Sequence, residues 1–142
     1  MTSSEQAVFP ARFTALRGTA AFARAFCERN GIDRNDALRL TLVIEELFTN
    51  SIEHGHRAEC DAPIRVELAM QEGAVTLFYE DSAPRFDPLA EASASPTPIH
   101  PSADGPIGGL GVHLVRELAS SARYAYEDGC NRLWLTLKPR PG

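Results

Sequence analysis

Residues 63–81, PIRVELAMQEGAVTLFYED, limit the possible folds more than any other part of the chain. Apolar and polar residues alternate on both sides of Glu72-Gly73, the pattern of two strands joined by a tight turn. Such a hairpin carries one apolar face, which another part of the chain has to cover. A second alternating pair comes near the end: ARYAYED, a turn at Gly129, then NRLWLTLKP.

Two helical segments supply the cover. Residues 16–31, LRGTAAFARAFCERNG, place Ala21, Phe22, Ala25 and Phe26 at helical spacing, and Gly31 is a natural stop. NDALRLTLVIEELFTNSIEHG opens at a capping residue, Asn35 or Asp33, and runs to Gly55. Its buried stripe is expected to be Ala37, Leu40, Ile44 (with Val43) and Leu47. Ahead of both helices, residues 7–15, AVFPARFTA, read as a short strand that Pro10 restricts to an edge or a bend.

The alternation breaks at residues 82–106, which hold six of the ten prolines and the run EASASPTP. Stretches of this kind are not packed elements; inside a compact domain they tend to be lids or disordered. GGLGVHLVRELA then enters a helix. The order is β-α-α-β-β-lid-α-β-β, with no internal repeat. The expected fold is α+β: a two-layer sandwich with helices on one face of a largely antiparallel, mixed sheet, forming a single domain over residues 1–142.

Composition excludes several functions. The 142 residues suit one domain, and 44% hydrophobic content is enough for a core. A net charge of −5 opposes a nucleic-acid or anionic-membrane partner, which would select a basic surface. No apolar run approaches the ~20 residues of a membrane helix, and MTSSEQAVFPARF has no apolar signal core. Cys27, Cys60 and Cys130 are odd in number and scattered, which fits free thiols in a reducing cytoplasm.

Three clusters carry candidate chemistry. In EELFTNSIEHG, Glu46 and Asn50 are four residues apart and so lie about 40° apart on one helix face, whereas Glu45 points roughly 140° away from Asn50. An amide oxygen suits Mg²⁺, and a nearby carboxylate can position or deprotonate a nucleophile. A solvated helix face accounts for the same pair. In FYEDSAPRFDP, Asp81 ends an apolar strand at the mouth of the proline-rich stretch. A carboxylate there can accept a hydrogen bond from an exocyclic amine such as adenine's and would repel the O6 of guanine; an acid in a strand-end turn is the plain alternative. In GPIGGLGVHL, Gly108, Gly109 and Gly111 crowd a helix entry. Backbone N–H groups at such an entry attract phosphates, although a hinge uses the same residues. Neither a GxxxxGK[ST] loop nor a GxGxxG fingerprint is present.

Taken in order, Glu46, Asn50, His54 and Gly55, then Asp81, then Gly109-Leu110-Gly111 resemble the motifs of the Bergerat-type ATPases. The closer resemblance is to the small anti-sigma-factor serine/threonine kinases of bacteria, whose helix motif is E-x-x-x-N-x-x-x-H-G, and it runs from about residue 12 to 138. GCNRLWLTL resembles that family's closing strand pair. The resemblance implies a Bergerat ATP-binding fold with an ATP lid at about 82–106. It implies Glu46 as general base, Asn50 as the Mg²⁺ ligand and Asp81 as the adenine reader. Ala83 in the base loop, and Gly108, Gly109, Leu110, Gly111 and Val112 at the phosphates, would complete the ATP site. The implied partners are a sigma factor, a small anti-sigma antagonist phosphorylated on Ser or Thr, and a second copy in a homodimer. That base loop commonly reads D-x-G-x-G; here Ala83 and Arg85 stand in place of glycines, each adding a Cβ and losing easy access to positive φ. Ser120 stands where the family often has an aspartate late in its last helix.

The leading expectation is therefore an ATP- and Mg²⁺-dependent protein kinase that doubles as an anti-sigma factor. The rival is a non-catalytic ATP-binding module that switches partner binding; it would need Asn50 and Asp81 but no base. The catalytic half of a histidine kinase is a weaker third reading, because no helix with a phospho-acceptor histidine fits in the length. His54 and His56 lack neighbours at zinc spacing. His113 reads as a lid or phosphate neighbour and His100 as solvated. The cysteines have no adjacent base, and Trp134 is expected in the core.

Overall fold

The computed structural model describes residues 4–89, 115 and 119–137. Gly108, Gly109, Leu110, Gly111 and Val112 lie outside the described residues, as do His100, His113 and most of the expected lid. Of the helix expected after the glycines, Val115 alone is described; it is helical and buried in the core.

Five strands form one sheet in the order β1-β2-β3-β5-β4. They are β1 (Ser4–Pro10), β2 (Pro63–Gln71), β3 (Ala74–Asp81), β4 (Ala119–Glu127) and β5 (Cys130–Leu137). All four pairings are antiparallel, so among the described residues the sheet has no parallel component. The two expected hairpins are β2–β3 and β4–β5. Each turn places two residues at positive φ: Glu72 at 53° and Gly73 at 83°, Asp128 at 54° and Gly129 at 76°. This is the backbone of type I′ turns, whose twist matches that of the flanking strands. β1 begins earlier than expected and ends at Pro10, at the sheet edge where a residue without an N–H is tolerated. Residues Phe13–Ala15 form a 3₁₀ turn instead of continuing the strand. Ser120 lies in β4, not late in a helix.

Helix α1 spans Leu16–Arg29. Its buried stripe is Thr19, Ala23, Phe26 and Cys27, so the face is rotated from the expected one and Ala21 is exposed. Helix α2 spans Arg34–Asn50, and its cap is Asp33, whose carboxylate accepts from the Asp36 N–H at 2.8 Å. The α-helix was expected to reach Gly55. Instead Ser51–His56 form a wide π turn that ends at Arg57 in the left-handed region; such turns recur at functional sites.

The helices cover one sheet face. Leu40, Val43, Ile44, Leu47, Phe48 and Ile52 pack with Ile64, Val66, Leu68, Leu77, Leu133 and Leu135, all at or near zero exposure. Phe9 meets Phe22 and Phe48 edge to face, each at 6.4 Å between ring centres. Such pairs are worth about 0.5–1.5 kcal/mol beyond their area. Trp134 is not in this core. It lies on the parity of Arg132 and Thr136 along β5, half-buried on the opposite face, with the Arg123 guanidinium 4.2 Å above its ring and Phe78 beside it.

Candidate functional site

Strand alternation sends residues 75, 77, 79 and 81 of β3 and 131, 133, 135 and 137 of β5 toward the helices. Most are apolar, but at one end of the sheet the paired residues are Asp81 and Asn131, both only 6% exposed. The end of α2 lies above them. Leu47, Asn50, Ser51, Tyr79, Asp81, Asn131, Tyr124 and Phe86 share one cavity of about 20 Å³. That is room for about one water. A purine enters only if the lining opens.

The polar groups in this cavity are ordered by who can donate. Burial and the nearby Asp81 charge push the Tyr79 phenol well above its ordinary range, so it stays protonated. The Ser51 hydroxyl lies 2.6 Å from the Tyr79 oxygen and 2.5 Å from Asp81 Oδ2. Ser51 has one proton, and the carboxylate is the shorter contact, closer than the Leu47 carbonyl at 3.2 Å. The chain therefore runs Tyr79 O–H to Ser51 Oγ and Ser51 O–H to Asp81 Oδ2. On the other oxygen, Asp81 Oδ1 accepts from Asn131 Nδ2 at 2.8 Å and from the Ala83 N–H at 3.1 Å. Three donors converge on a carboxylate with about four acceptor positions. Among the described residues, the position left open belongs to Oδ2 and can accept one further donor.

Glu46 and Asn50 are both buried at 6% exposure, while Glu45 is half-buried, as the helical spacing requires. Glu46 Oε1 has no hydrogen-bond partner among the described residues. Burial, reinforced by the Glu53 charge, raises the Glu46 carboxyl from 4.5 to about 7. Asn50 lines the Asp81 cavity; Glu46 does not. Its carboxamide receives no hydrogen bond from the described residues and so remains available to a hard cation, which suits Mg²⁺ with its small number of protein ligands. Among the described residues no cluster of three or more His, Cys, Asp or Glu side chains forms a metal site.

The loop after β3 needs no glycine. The described non-glycine residues at positive φ are Arg57, Glu72 and Asp128, so Ala83 and Arg85 stay in ordinary backbone regions. Ala83 is fully buried, and a Cβ built on Gly55 would come within 2.8 Å of the Ala83 Cβ. His54 stacks on Phe86 with ring centres 5.8 Å apart, a local packing role. Cys27 is buried and its thiol is pushed up to about 11, which makes it inert. The sequence reading missed Ser51, Tyr79 and Asn131.

An open antiparallel sheet covered on one face by helices, with its polar cavity at the strand ends beneath the Glu46–Asn50 helix, defines an α+β domain of the Bergerat class. The family model of the histidine kinase-like ATPase domain matches residues 9–137, and the chain belongs to that family. The serine-protein kinase RsbW of Listeria monocytogenes (serotype 4a, strain HCC23) is 29% identical over 93 residues, 63% of this chain and 59% of that protein. The serine/threonine-protein kinase BtrW of Bordetella bronchiseptica (strain RB50) is 29% identical over 102 residues, 72% of this chain and 70% of that protein. The match thus spans under two thirds of the length of the RsbW relative. A crystal structure of the RsbU and RsbW domains of Rv1364c from Mycobacterium tuberculosis superposes with a TM-score of 0.68 at 21% identity, covering 99% of this chain and 34% of that one. No described helix is long and apolar enough to cross a membrane.

Proposed function

We infer that the chain is an ATP- and Mg²⁺-dependent serine/threonine protein kinase acting as a cytoplasmic anti-sigma factor. Its relatives are named as serine and serine/threonine kinases, and its own residues supply the needed chemistry. One observation carries the reading: Glu46 is buried with a carboxyl oxygen that has no partner among the described residues, one turn from the buried Asn50. Leaving such an oxygen unpaired costs stability, and buried titratable groups of this kind concentrate at functional sites. A module that only bound ATP would gain nothing from it, so the kinase is preferred over the non-catalytic switch.

In this reading Asp81 selects the base by accepting from its amine. Asn50 holds the metal, whose charge offsets that of the phosphates when Mg²⁺-ATP is bound. Glu46, about half ionised near pH 7, accepts the proton of a substrate Ser or Thr hydroxyl. Gly108, Gly109, Leu110, Gly111 and Val112 are assigned to the phosphates, under a lid at about 82–106. The proposed partners are a sigma factor, a small antagonist protein that is phosphorylated, and a second copy of the chain.

Transfer of labelled γ-phosphate to a candidate antagonist tests this. Glu46→Gln should bind ATP nearly normally and lose transfer by about 10²–10⁴-fold, with Glu45→Gln close to wild type. Undiminished transfer by Glu46→Gln removes the base assignment.

A further inference from the structure

Asn131 sits at the centre of a cluster of side-chain hydrogen bonds. Its Nδ2 has two hydrogens for three acceptors in range, Asp81 Oδ1 at 2.8 Å, the Ala83 carbonyl at 3.0 Å and the Pro84 carbonyl at 3.1 Å, so one N–H is shared between two of them. Its Oδ1 accepts from the Phe86 N–H at 2.9 Å and from the Tyr124 hydroxyl. The acceptors on one side and the donors on the other fix the amide's orientation, because a flip would set N–H against N–H. The residue is 6% exposed and faces Asp81 directly across the β3–β5 ladder.

Two jobs are joined in this side chain. It supplies one of the donors that hold Asp81 as an acceptor. It also ties down the 83–86 turn, which carries Phe86 and leads to Pro88, two of the residues that line the cavity. The turn contains no glycine, and its described backbone has no left-handed residue. Its shape is therefore set by these bonds and by the packing of Ala83.

We propose that Asn131 is a positioning residue that sets base selectivity, aligning Asp81 and the 83–86 turn so that the site accepts a purine amine and rejects a purine carbonyl. This rests on the reading of Asp81 as the base acceptor. Asn131→Asp is nearly isosteric, keeps the acceptor half for Phe86 and Tyr124, and loses the donors. Asn131→Ala removes both halves.

The test is competition between ATP and GTP for wild type and both variants, reported as the ratio of dissociation constants. Both nucleotides compete for the same folded molecules, so the ratio does not depend on how much of a variant is folded. A purely structural residue would weaken both nucleotides in parallel and leave the ratio unchanged. The expected result is an ATP preference that narrows in both variants by on the order of 10- to 100-fold, the worth of one hydrogen bond to a charged group. A wild type that discriminates, with the ratio unchanged in both variants, overturns this inference alone. A wild type that binds ATP and GTP equally overturns the adenine reading and this inference with it.

Discussion

Gly55 and Ala83 fit each other: the Ala83 Cβ occupies the space that a side chain at Gly55 would need, with an ideal Cβ there only 2.8 Å away. The π turn at the end of α2 is thereby seated against the loop that follows Asp81. Gly55→Ala should destabilise the fold by about 1–3 kcal/mol, the usual cost of overpacking a filled site. Gly55→Ala with Ala83→Gly moves the methyl from one side of the contact to the other and should recover most of that loss. Thermal melts of the single and double variants check it; a double variant no more stable than Gly55→Ala would show that the contact is not what constrains this pair.

A second prediction concerns acidity. Glu46 holds its proton up to about pH 7 when folded but only to about 4.5 when unfolded. Between these values the folded state binds more protons, so this group's contribution to stability falls as pH rises through the window and levels off above about 7. Glu46→Gln removes the titration. The variant should melt at about the same temperature as wild type near pH 4 and higher than wild type at pH 8. Melting curves across that range measure the gap, and a gap that does not widen with pH contradicts the raised value.

Asn50 gives a third. Its carboxamide lines the cavity without a hydrogen bond from the described residues, so removing it should disturb metal binding more than folding. Asn50→Ala should weaken ATP binding more in Mg²⁺ than in chelator. Calorimetry under the two conditions compares them; equal losses would make Asn50 a structural residue.

The Tyr79–Ser51–Asp81 chain predicts non-additivity. Ser51→Ala leaves both Tyr79 and Asp81 Oδ2 without their buried partner and should cost about 1–3 kcal/mol. Tyr79→Phe should cost less, because the Ser51 hydroxyl keeps its acceptor. In the double variant the Tyr79 oxygen is gone as well, so the losses should sum to less than the two singles. Urea unfolding of the four proteins completes the cycle, and strictly additive losses would mean the two hydroxyls do not act together.

Much of the architecture was legible because it depends on local pattern. Alternation around Glu72-Gly73 and Gly129 marked both hairpins, and Asp33 was one of two legible caps. The α1 face was misjudged because alanines dilute the stripe: Ala21 and Ala25 look as apolar as Ala23, and tertiary packing chose Ala23. Trp134 was expected in the core, although its parity with Arg132 and Thr136 pointed it outward. Helical spacing and strand position singled out Glu46, Asn50 and Asp81 as candidates, and the family resemblance implied their roles. Asn131 was missed because its partner, Asp81, is 50 residues away and joined only by strand pairing. A signal existed: an asparagine on the parity of Leu133, Leu135 and Leu137 is a polar residue at a buried position. Ser51 and Tyr79 gave no such signal, since their roles arise where a π turn meets a strand.

The central claim is that the cavity around Asp81 recognises adenine through an acceptor-only carboxylate. Direct calorimetry of ATP and GTP on wild type and Asp81→Asn tests it. Guanine would set its O6 against the buried carboxylate, two acceptors with no proton between them; sites built on such a bond reject analogues lacking it by up to about 10⁴–10⁵-fold. A water relaying between the two acceptors would soften this, so the expected wild-type preference for ATP is at or below the lower end of that range. Asp81→Asn adds a donor that can face O6 and should weaken ATP while narrowing the ATP/GTP ratio. Equal binding of ATP and GTP by the wild type would contradict the account.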